Sequence, residues 1–302
     1  MDKNKGGLFS MKVEHAVIMA AGTSSRLAPL SCERPKALLE VKGDILIERQ
    51  IRQLISAGIR RIVVVTGYKA GMFQYLRDKY GVTLVHNDEY GTRNNNGSLC
   101  AARAYLQNAY VCSADNYFAV NPFETAVDHA FYAVLYADGE TNEWCVSTNE
   151  QGIITNVEIG GRDSWYMLGH VFFDQAFADA FLRILLANYH DDAYRHLLWE
   201  DIYRRHLTEL KMKAKAYPDD TIFEFDTLDE LRAFDPTYKK DARSAILRDA
   251  AAKFGCRECD ITGTAPVAGK TGEVIGFSFR LHGNTHEYLY PTSPSAAEKS
   301  AL

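Results

Sequence analysis

A short run of small, hydroxyl and basic residues follows an apolar strand near the start of the chain. The strand is Ala16–Ala21. The run that follows it comprises Gly22, Thr23, Ser24, Ser25 and Arg26, and later Pro35 and Lys36. Glycine lets the backbone turn sharply and approach a ligand closely, so the amides after Gly22 can point at phosphate oxygens. Arg26 and Lys36 add positive charge, and proline restricts the backbone beside Lys36. The run therefore predicts a loop that binds a nucleoside triphosphate.

The spacing of this loop differs from the GxGxxG of dinucleotide folds and from the GxxxxGKS/T of P-loop enzymes. It resembles the G-x-G-x-R…P-K signature of the nucleotidyltransferases that make activated sugars and alcohols. Ser24 stands where the signature has its second glycine, and because L residues avoid the left-handed region we expect a negative φ there. The alternative is a Gly/Ser turn with two unrelated surface cations. The resemblance implies that the nucleotide contacts Ala20, Ala21, Gly22, Thr23, Ser24, Arg26 and Lys36.

The composition is that of a soluble globular protein. The chain has 302 residues, 47% of them apolar and 24% charged, enough for one large α/β domain with a small appendage or for two modest domains. A net charge of −5 gives no general attraction to nucleic acid or to an anionic membrane, so neither is expected as a partner. No apolar run has transmembrane length and residues 1–10 lack a signal-peptide core, so we expect a cytoplasmic protein.

The first half of the chain alternates predicted strands and helices. Strands are predicted at Val13–Ala20, Arg61–Thr66, Val82–His86 and Tyr110–Ala114, and helices at Ile45–Ala57, Met72–Tyr80 and Leu99–Leu106. This alternation predicts an α/β fold with a Rossmann-like, mostly parallel sheet flanked by helices, the architecture of the nucleotide-diphospho-sugar transferases that the loop resembles. Ligands of such sheets bind beyond the carboxyl ends of the strands. Because Gly22, Gly67 and Asp115 each follow a strand end, we expect them to converge on one crevice.

The second half has a different rhythm, with short strands between Gly, Asn and Asp turns. Strands are predicted at Phe131–Tyr136, Trp144–Thr148, Ile153–Ile159 and Tyr166–Phe173, and helices near 175–187, 193–206 and Leu228–Phe234. A new unit with one helix and two strands begins near Asp241. The predicted domains are a flexible tail at 1–12, a nucleotidyltransferase domain at 13–238, a small α+β appendage at 239–291 and a disordered end at 292–302.

Two aspartates are candidate metal ligands because each ends a predicted strand. Asp115 follows a buried strand and faces the predicted phosphate loop, where Mg²⁺ would use one or two carboxylates together with substrate phosphates. The alternative is an Asp-Asn turn with Asn116. Asp226 ends the alternating segment Ile222–Asp226 and fits either a second ligand or the N-cap of the next helix.

Side-chain amides are concentrated between Asn87 and Asn96. Amides both donate and accept hydrogen bonds, which is what the edge of a cytosine requires, so Asn87, Asn95 and Ser98 are candidate contacts to the base. The alternative is a polar loop that ends in a helix N-cap at Ser98.

Several longer motifs make the resemblance more specific. They are Asn87-Asp88-x-Tyr90 with Asn94-Asn95 and Ser98-Leu99, Ala114-Asp115-Asn116-Tyr117, Thr141-Asn142-Glu143-Trp144, Leu198-Trp199-Glu200-Asp201, and Ile222-Phe223-Glu224-Phe225-Asp226. Together they resemble the bacterial CTP:phosphocholine cytidylyltransferases over about residues 13–235. The chain departs from the family pattern at Cys145, where an aromatic residue is expected, and at Glu200-Asp201, where Asp-Asn is expected.

The resemblance implies an enzyme that transfers CMP from CTP to phosphocholine. It implies that Arg26 and Lys36 hold CTP, that Asp115 and Asp226 bind Mg²⁺, and that Trp144, Trp199, Tyr117 and Glu143 receive the choline. A quaternary ammonium has no hydrogen to donate, so aromatic faces beside negative charge are its natural partners.

Several alternatives remain at this stage. The acceptor could be 2-aminoethylphosphonate, phosphoethanolamine or a sugar 1-phosphate, and the chain could be a catalytically silent regulatory subunit. A homo-oligomer is compatible with the sequence. The end of the chain, from Asp260 to Pro291, weakly resembles the opening strands of choline kinases but lacks their catalytic residues. We therefore expect residues after about 240 to be dispensable for cytidylyl transfer.

Overall fold

A computed structural model describes residues 10–291 of the chain, so residues 1–9 of the tail predicted at 1–12, and the end predicted at 292–302, lie outside the described residues. The strands are β1 (Met11–Lys12), β2 (His15–Ala20), β3 (Glu40–Val41), β4 (Asp44–Ile45), β5 (Ile62–Thr66), β6 (Thr83–His86), β7 (Ala109–Ser113), β8 (Tyr117–Phe118), β9 (Ala126–Val127), β10 (Phe131–Thr148), β11 (Ile154–Phe173), β12 (Lys213–Ala216), β13 (Ile222–Phe223), β14 (Thr262–Ala268), β15 (Val274–Leu281) and β16 (Asn284–Leu289).

The helices are α1 (Leu30–Glu33), α2 (Leu46–Ser56), α3 (Tyr75–Tyr80), α4 (Asn95–Ala101), α5 (Gln175–Ala187), α6 (Asp192–Arg195), α7 (Trp199–Arg205), α8 (Leu228–Phe234), α9 (Thr237–Lys240) and α10 (Ala245–Phe254). Short 3₁₀ turns lie at Ser25–Leu27, Lys36–Leu38, Ala70–Phe73, Arg103–Tyr105 and Glu258–Asp260. Within residues 10–291, none of these helices is long and apolar enough to cross a bilayer.

The chain divides into two compact units. The first contains the residues up to Gly22 together with Asp44–Glu224, and the second contains Thr23–Gly43 together with the residues from Phe225 onward. The residues of the predicted phosphate loop are therefore assigned to both units. Its strand and Gly22 belong to the first unit, and Arg26 and Lys36 belong to the second. The domain boundaries given above stay a prediction.

The first unit is built on a mixed sheet with the strand order β12, β10, β11, β7, β2, β5, β6. Strands β7, β2, β5 and β6 run parallel, whereas β11 is antiparallel to both β7 and β10. All five residues of β5 are buried, as expected for a parallel strand covered on both faces. On one face, side chains from β2, β5 and β7 form a single core with α4, α5 and α7. The predicted α/β fold with a Rossmann-like mixed sheet is confirmed.

The antiparallel region forms one long hairpin in place of four short strands. The predicted strands at 131–136 and 144–148 are parts of β10, and those at 153–159 and 166–173 are parts of β11. Gly139 and Gly160, which predicted turns, have φ values of 92° and 81°, and the pairing of β10 with β11 shifts register beside both. These glycines form β-bulges, which add a residue and bend a strand without ending it.

Three other boundaries differ from the predictions. Helix α4 begins at Asn95, because the side chain of Asn94 caps it by accepting a hydrogen bond from the Asn95 amide; Ser98 lies inside the helix and is not its cap. The helix predicted at 193–206 is two helices, α6 and α7. Met11 and Lys12, predicted as part of the flexible tail, pair with β9 as strand β1.

The second unit combines a three-stranded antiparallel sheet with α8, α9 and α10. Its strands have the order β14, β15, β16. Phe277 and Phe279 of β15 are buried with Leu247 of α10 and Leu231 of α8. The segment Thr23–Gly43, which carries Arg26 and Lys36, belongs to this unit.

Candidate active site

The turn that follows Gly22 is built on a left-handed residue. Ser24 has φ 48° and ψ 45°, so the expected negative φ is wrong. The next residues form a 3₁₀ turn, in which the amide of Leu27 donates to the carbonyl of Ser24 at 3.0 Å and the amide of Ala28 donates to that of Ser25 at 3.0 Å. These two bonds hold the turn in which Ser24 is left-handed, a conformation that glycine adopts at lower cost.

Nothing in the described part of the protein requires a glycine at position 22. The φ of Gly22 is outside the left-handed region, and no described atom beyond Gly22 and its two chain neighbours lies within 4 Å of the position that a Cβ would occupy. A glycine that is neither conformationally required nor crowded by its own chain is suited to a close approach of a ligand to the backbone.

The strand ends of the first unit come together as predicted from the order of strands. The amide of Tyr68 donates to the carbonyl of Ala21 at 3.0 Å, and the amide of Ala114 donates to that of Met19 at 3.1 Å. A Cβ at Gly67 would lie 3.0 Å from that of Ala21, so these two loops touch. The turn after β7, which carries Asp115, and the loop after β5 therefore flank the end of β2.

In the second unit, the two predicted phosphate-binding cations share one carboxylate. The Lys36 Nζ atom lies 3.1 Å from Oδ1 of Asp226, and Arg26 Nη2 lies 2.9 Å from Oδ2. The Lys36 side chain is 2% exposed and that of Arg26 is 73% exposed. A buried ammonium needs such a partner, so the ion pair with Asp226 orders the Lys36 side chain. Whether Asp226 also binds metal stays a prediction.

The turn that carries Asp115 is held by buried amides. The Nε2 group of Gln50, from α2, donates to the carbonyl of Ser113 at 2.9 Å and to that of Asn116 at 2.8 Å. Asn116 in turn donates from Nδ2 to Oε2 of Glu224 at 3.2 Å. One carboxylate oxygen of Asp115 and one of Glu224 lie within 4.8 Å of each other. Two converging carboxylates on a fixed turn fit the oxygen ligands that Mg²⁺ prefers.

The amide-rich segment is organised by internal hydrogen bonds. Asn87 is buried and donates from Nδ2 to Oγ of Ser98 at 3.2 Å. Asn95 donates from Nδ2 to Oε2 of Glu200 at 3.0 Å and accepts from the amide of Trp199 at 2.7 Å. Asn95 therefore holds the start of α7, and its contact to the base stays a prediction, as do those of Asn87 and Ser98.

Carboxylates and tyrosines of the first unit form an acidic, aromatic group. Burial raises the pKa of Glu200 to about 7, and Tyr132 donates a hydrogen bond to its Oε1 at 3.4 Å. Burial, with the negative charges of Glu200 and Glu224, holds the pKa of Tyr132 well above its usual value. Burial, with the charges of Glu143, Asp219 and Glu224, raises that of Tyr166. We name this set, Glu143, Tyr132, Tyr166, Glu200 and Glu224, the acidic aromatic cluster.

Two of the residues predicted to receive choline are in the core. The indole of Trp199 is 1% exposed, stacks on Tyr132 with ring centroids 5.7 Å apart, and meets Phe173 and Phe181 edge to face. Tyr117 is also buried, and the guanidinium of Arg49 lies 4.4 Å over its ring. Both rings are thus buried in this structure, and their contact with choline stays a prediction.

Trp144 is partly buried and packs against the core of the first unit, and its contact with choline stays a prediction. It is half-buried on β10, next to the exposed Glu143, and the guanidinium of Arg204 lies 5.3 Å from its ring centroid. In this structure the cation beside the ring is therefore one of the protein's own, Arg204.

Sequence reasoning missed four members of the acidic aromatic cluster. Glu224 could have been found from the alternation of Ile222–Asp226, because alternate residues of a strand share a face and Glu224 lies two residues before Asp226. Glu200 was noted as a departure from the family pattern and as a negative charge beside Trp199, but not as a site residue. Tyr132 and Tyr166 gave no signal, because they lie on different strands, β10 and β11, and share only the effect of the Glu224 charge.

Comparison with known proteins agrees with this geometry. Residues 16–198 match the MobA-like NTP transferase domain. The choline-phosphate cytidylyltransferase of Streptococcus pneumoniae is 31% identical over 226 residues, which cover 75% of this chain and 99% of that protein. The chain belongs to the cytidylyltransferase family. It is accordingly a nucleotidyltransferase, as the loop and the longer motifs predicted.

Two further comparisons extend the relationship of this cytidylyltransferase. The 2-aminoethylphosphonate cytidylyltransferase of Lancefieldella rimae is 34% identical over 228 residues, which cover 74% of this chain and 93% of that protein. The solved structure of the CTP:phosphocholine cytidylyltransferase from Streptococcus pneumoniae matches with a TM-score of 0.72 at 31% identity, over 75% of this chain and 99% of that one. These relatives are named for two different acceptors.

Proposed function

We propose that this cytidylyltransferase transfers CMP from CTP to phosphocholine, giving CDP-choline and pyrophosphate, with Mg²⁺ as cofactor. The observation that carries the proposal is that Trp144 and Glu143, neighbours on β10, lie in the same unit as Asp115 and Glu224. A site lined by carboxylates and aromatic rings suits an acceptor with a cationic head group. A sugar phosphate, which has no cation, would ask for amides and hydroxyls.

The reaction needs no general base. A phosphomonoester has a second pKa of about 6, so the acceptor oxygen is already largely ionised at neutral pH. The chain has to align that oxygen with the α-phosphorus of CTP and to offset the charge of the departing pyrophosphate. Arg26 and Lys36 supply two positive charges for this purpose, and the backbone at Gly22 offers close approach.

Asp115 and Glu224 would hold the metal in this proposal. Mg²⁺, when bound, supplies a positive charge that neutralises phosphate oxygens. Gln50 and Asn116 fix the turn and the carboxylate through the hydrogen bonds described above, so the two ligands are set before the metal arrives. Asp226 is proposed as a further ligand from the family resemblance.

The head group of phosphocholine is proposed to contact Trp144. Its trimethylammonium has no N–H, so it gains from an aromatic face and from diffuse negative charge. Trp144 supplies the face, and Glu143, Glu200 and Glu224 supply the charge. Glu200 is suited to this role because its charged form is costly without a cation nearby, as its raised pKa shows.

A second candidate acceptor is 2-aminoethylphosphonate. Two observations favour it: the relative from Lancefieldella rimae is named for this acceptor, and Trp199 is in the core. A primary ammonium donates hydrogen bonds, so it would use the carboxylates of the cluster more than the ring of Trp144.

The decisive experiment measures pyrophosphate release from each of CTP, UTP, GTP and ATP. Each nucleotide is paired with phosphocholine, phosphoethanolamine, 2-aminoethylphosphonate and glucose 1-phosphate. We expect the highest kcat/KM for CTP with phosphocholine. A higher value with 2-aminoethylphosphonate would replace the acceptor and keep the nucleotide. The absence of release from every pair would favour the catalytically silent subunit.

A further inference from the structure

Glu33 occupies a specific position in the second unit. It is the last residue of α1, between Arg26 and Lys36 in the chain, and its carboxylate accepts three hydrogen bonds from the start of α10. The donors are Oγ of Ser244 at 2.9 Å, the amide of Ala245 at 3.1 Å and the amide of Ile246 at 2.6 Å. A residue of the predicted phosphate loop therefore caps a helix more than two hundred residues later in the chain.

The geometry of this contact is favourable. The first amides of a helix have no partner within the helix, and the positive end of its dipole attracts a carboxylate. Ser244 is fully buried and uses its hydroxyl twice, since it donates to Glu33 and accepts from the amide of Leu247 at 3.0 Å. Hydrogen bonds to an ionised acceptor are about twice as strong as neutral ones. Glu33 is thus firmly fixed to α10.

Other contacts tie the same segment to the end of the chain. The carbonyl of Glu40 accepts from the hydroxyl of Tyr238 at 2.8 Å and from Arg243 at 2.7 Å. The hydroxyl of Tyr290 lies 3.1 Å from Sγ of Cys32. The 3₁₀ turn Ser25–Leu27, which contains Arg26, packs against β14. The segment Thr23–Gly43 is thus contacted at several points by α9, α10, β14 and Tyr290, which follows β16.

The segment Thr23–Gly43 lies within the region that resembles known proteins, whereas the residues that contact it lie after that region. The streptococcal relative is matched over 99% of its length but covers only 75% of this chain. The resemblance given above ends near residue 235, so Ser244, Tyr238 and Tyr290 lie beyond it. The loop signature is shared with the family, whereas the residues that hold the loop here lie outside the shared region.

We propose that Glu33 is a positioning residue for CTP, and that residues 236–291 act through it to hold the loop that carries Arg26 and Lys36. The inference rests on the proposed function, since it assigns those cations to CTP. It reverses the expectation that residues after 240 are dispensable. The appendage is part of the nucleotide-binding apparatus of this chain, and it fixes the backbone from which both cations project.

The test compares Glu33→Gln with the parent in the full chain. Glutamine keeps the volume but loses the charge and one acceptor. We expect the KM for CTP to rise about tenfold, the equivalent of one charge-assisted hydrogen bond, with the KM for phosphocholine within about twofold of the parent. Glu273→Gln is the matched control, because Glu273 lies in the same unit and its carboxylate accepts hydrogen bonds from the amide and the hydroxyl of the nearby Thr271. A purely structural role would lower the melting temperature and leave the KM for CTP unchanged, which would overturn the inference.

A second variant covers the case in which Glu33→Gln fails to fold. Tyr238→Phe removes only the hydroxyl that donates to Glu40, and it should raise the KM for CTP by a smaller factor. Hydrogen exchange of amides 25–38, measured without substrate, should be faster in both variants than in the parent. Unchanged exchange and unchanged KM in Tyr238→Phe would also overturn the inference. A parent that releases no pyrophosphate would instead remove the proposed function, and faster exchange would still support the tie to α10.

Discussion

Asn116 donates a hydrogen bond from Nδ2 to Oε2 of Glu224, 3.2 Å away, and so joins the turn after β7 to the end of β13. The neighbour of Asn116 on that turn is Asp115, whose carboxylate lies within 4.8 Å of that of Glu224. Two carboxylates at this separation repel each other unless a cation lies between them. The buried amide of Gln50 holds the turn in place against this repulsion.

Asp115→Asn and Glu224→Gln should each lower turnover by about a hundredfold or more, because each removes a charge that holds the metal at the phosphates. The melting temperature should change little, since both substitutions keep the volume. Pyrophosphate release over a range of Mg²⁺ concentrations measures the effect. Glu150→Gln, at an exposed turn of the same unit, is the control. Turnover of both variants within about fivefold of the parent would remove the pair as the metal site.

Glu200 should make stability depend on pH near neutrality. Burial raises its pKa from 4.5 to about 7, so the folded state favours the protonated form. A raised pKa contributes stability that is fully present below pH 4.5 and is lost as the pH rises through 7. Glu200→Gln, which resembles the protonated form, should therefore gain stability relative to the parent between pH 5 and pH 8. Urea unfolding at each pH measures the difference, and a constant difference would show that Glu200 does not titrate there.

Trp144→Ala should raise the KM for phosphocholine at least about tenfold and leave that for CTP nearly unchanged. A cation–π contact in a desolvated site contributes about 2 kcal/mol. Trp144→Phe should keep part of the affinity because a phenyl ring has a weaker negative face. Trp165→Ala is the control, since Trp165 is an exposed tryptophan on the same hairpin. An equal rise of both KM values would place Trp144 in the scaffold and not in the acceptor site.

Ser24→Gly should raise the free energy of unfolding, by up to about 1 kcal/mol. The left-handed conformation costs an L residue roughly 1–2 kcal/mol, while glycine loses about 0.5–1 kcal/mol more backbone entropy on folding. Ser24→Val, with a β-branched side chain, should lower the free energy of unfolding. Chemical unfolding of the three proteins gives the order. A glycine variant less stable than the parent would mean that the Ser24 side chain stabilises the turn.

The sequence predicted those features that depend on local pattern. The order of apolar runs and turns in the first half predicted the parallel strands, and the order of strands predicted that the loops after β2, β5 and β7 meet. Gly139 and Gly160 show the limit of such reasoning. Glycine permits both a turn and a bulge, and only the pairing of β10 with β11 decides between them.

The two tryptophans show a second limit. Trp144 and Trp199 each have an acidic neighbour, so composition does not separate them. Helical spacing could have done so, because Trp199, Ile202 and Tyr203 lie on one face of α7 and all three are buried. Glu33 had no such signal. Its partner, the start of α10, is distant in the chain, and a pattern within one segment does not reveal which helix a carboxylate will cap.

The cap that Glu33 places on α10 restricts how this protein can be recombined with its relatives. A chimera that took residues 23–43 from a protein without a matching carboxylate would leave the amides of Ala245 and Ile246 without their acceptor. A chimera that took its C-terminal segment from another protein would likewise lose the hydrogen bonds between Glu33 and the start of α10. The two stretches, far apart in the chain, would therefore have to be exchanged together, and substitutions in either should be tolerated only when the other accommodates them.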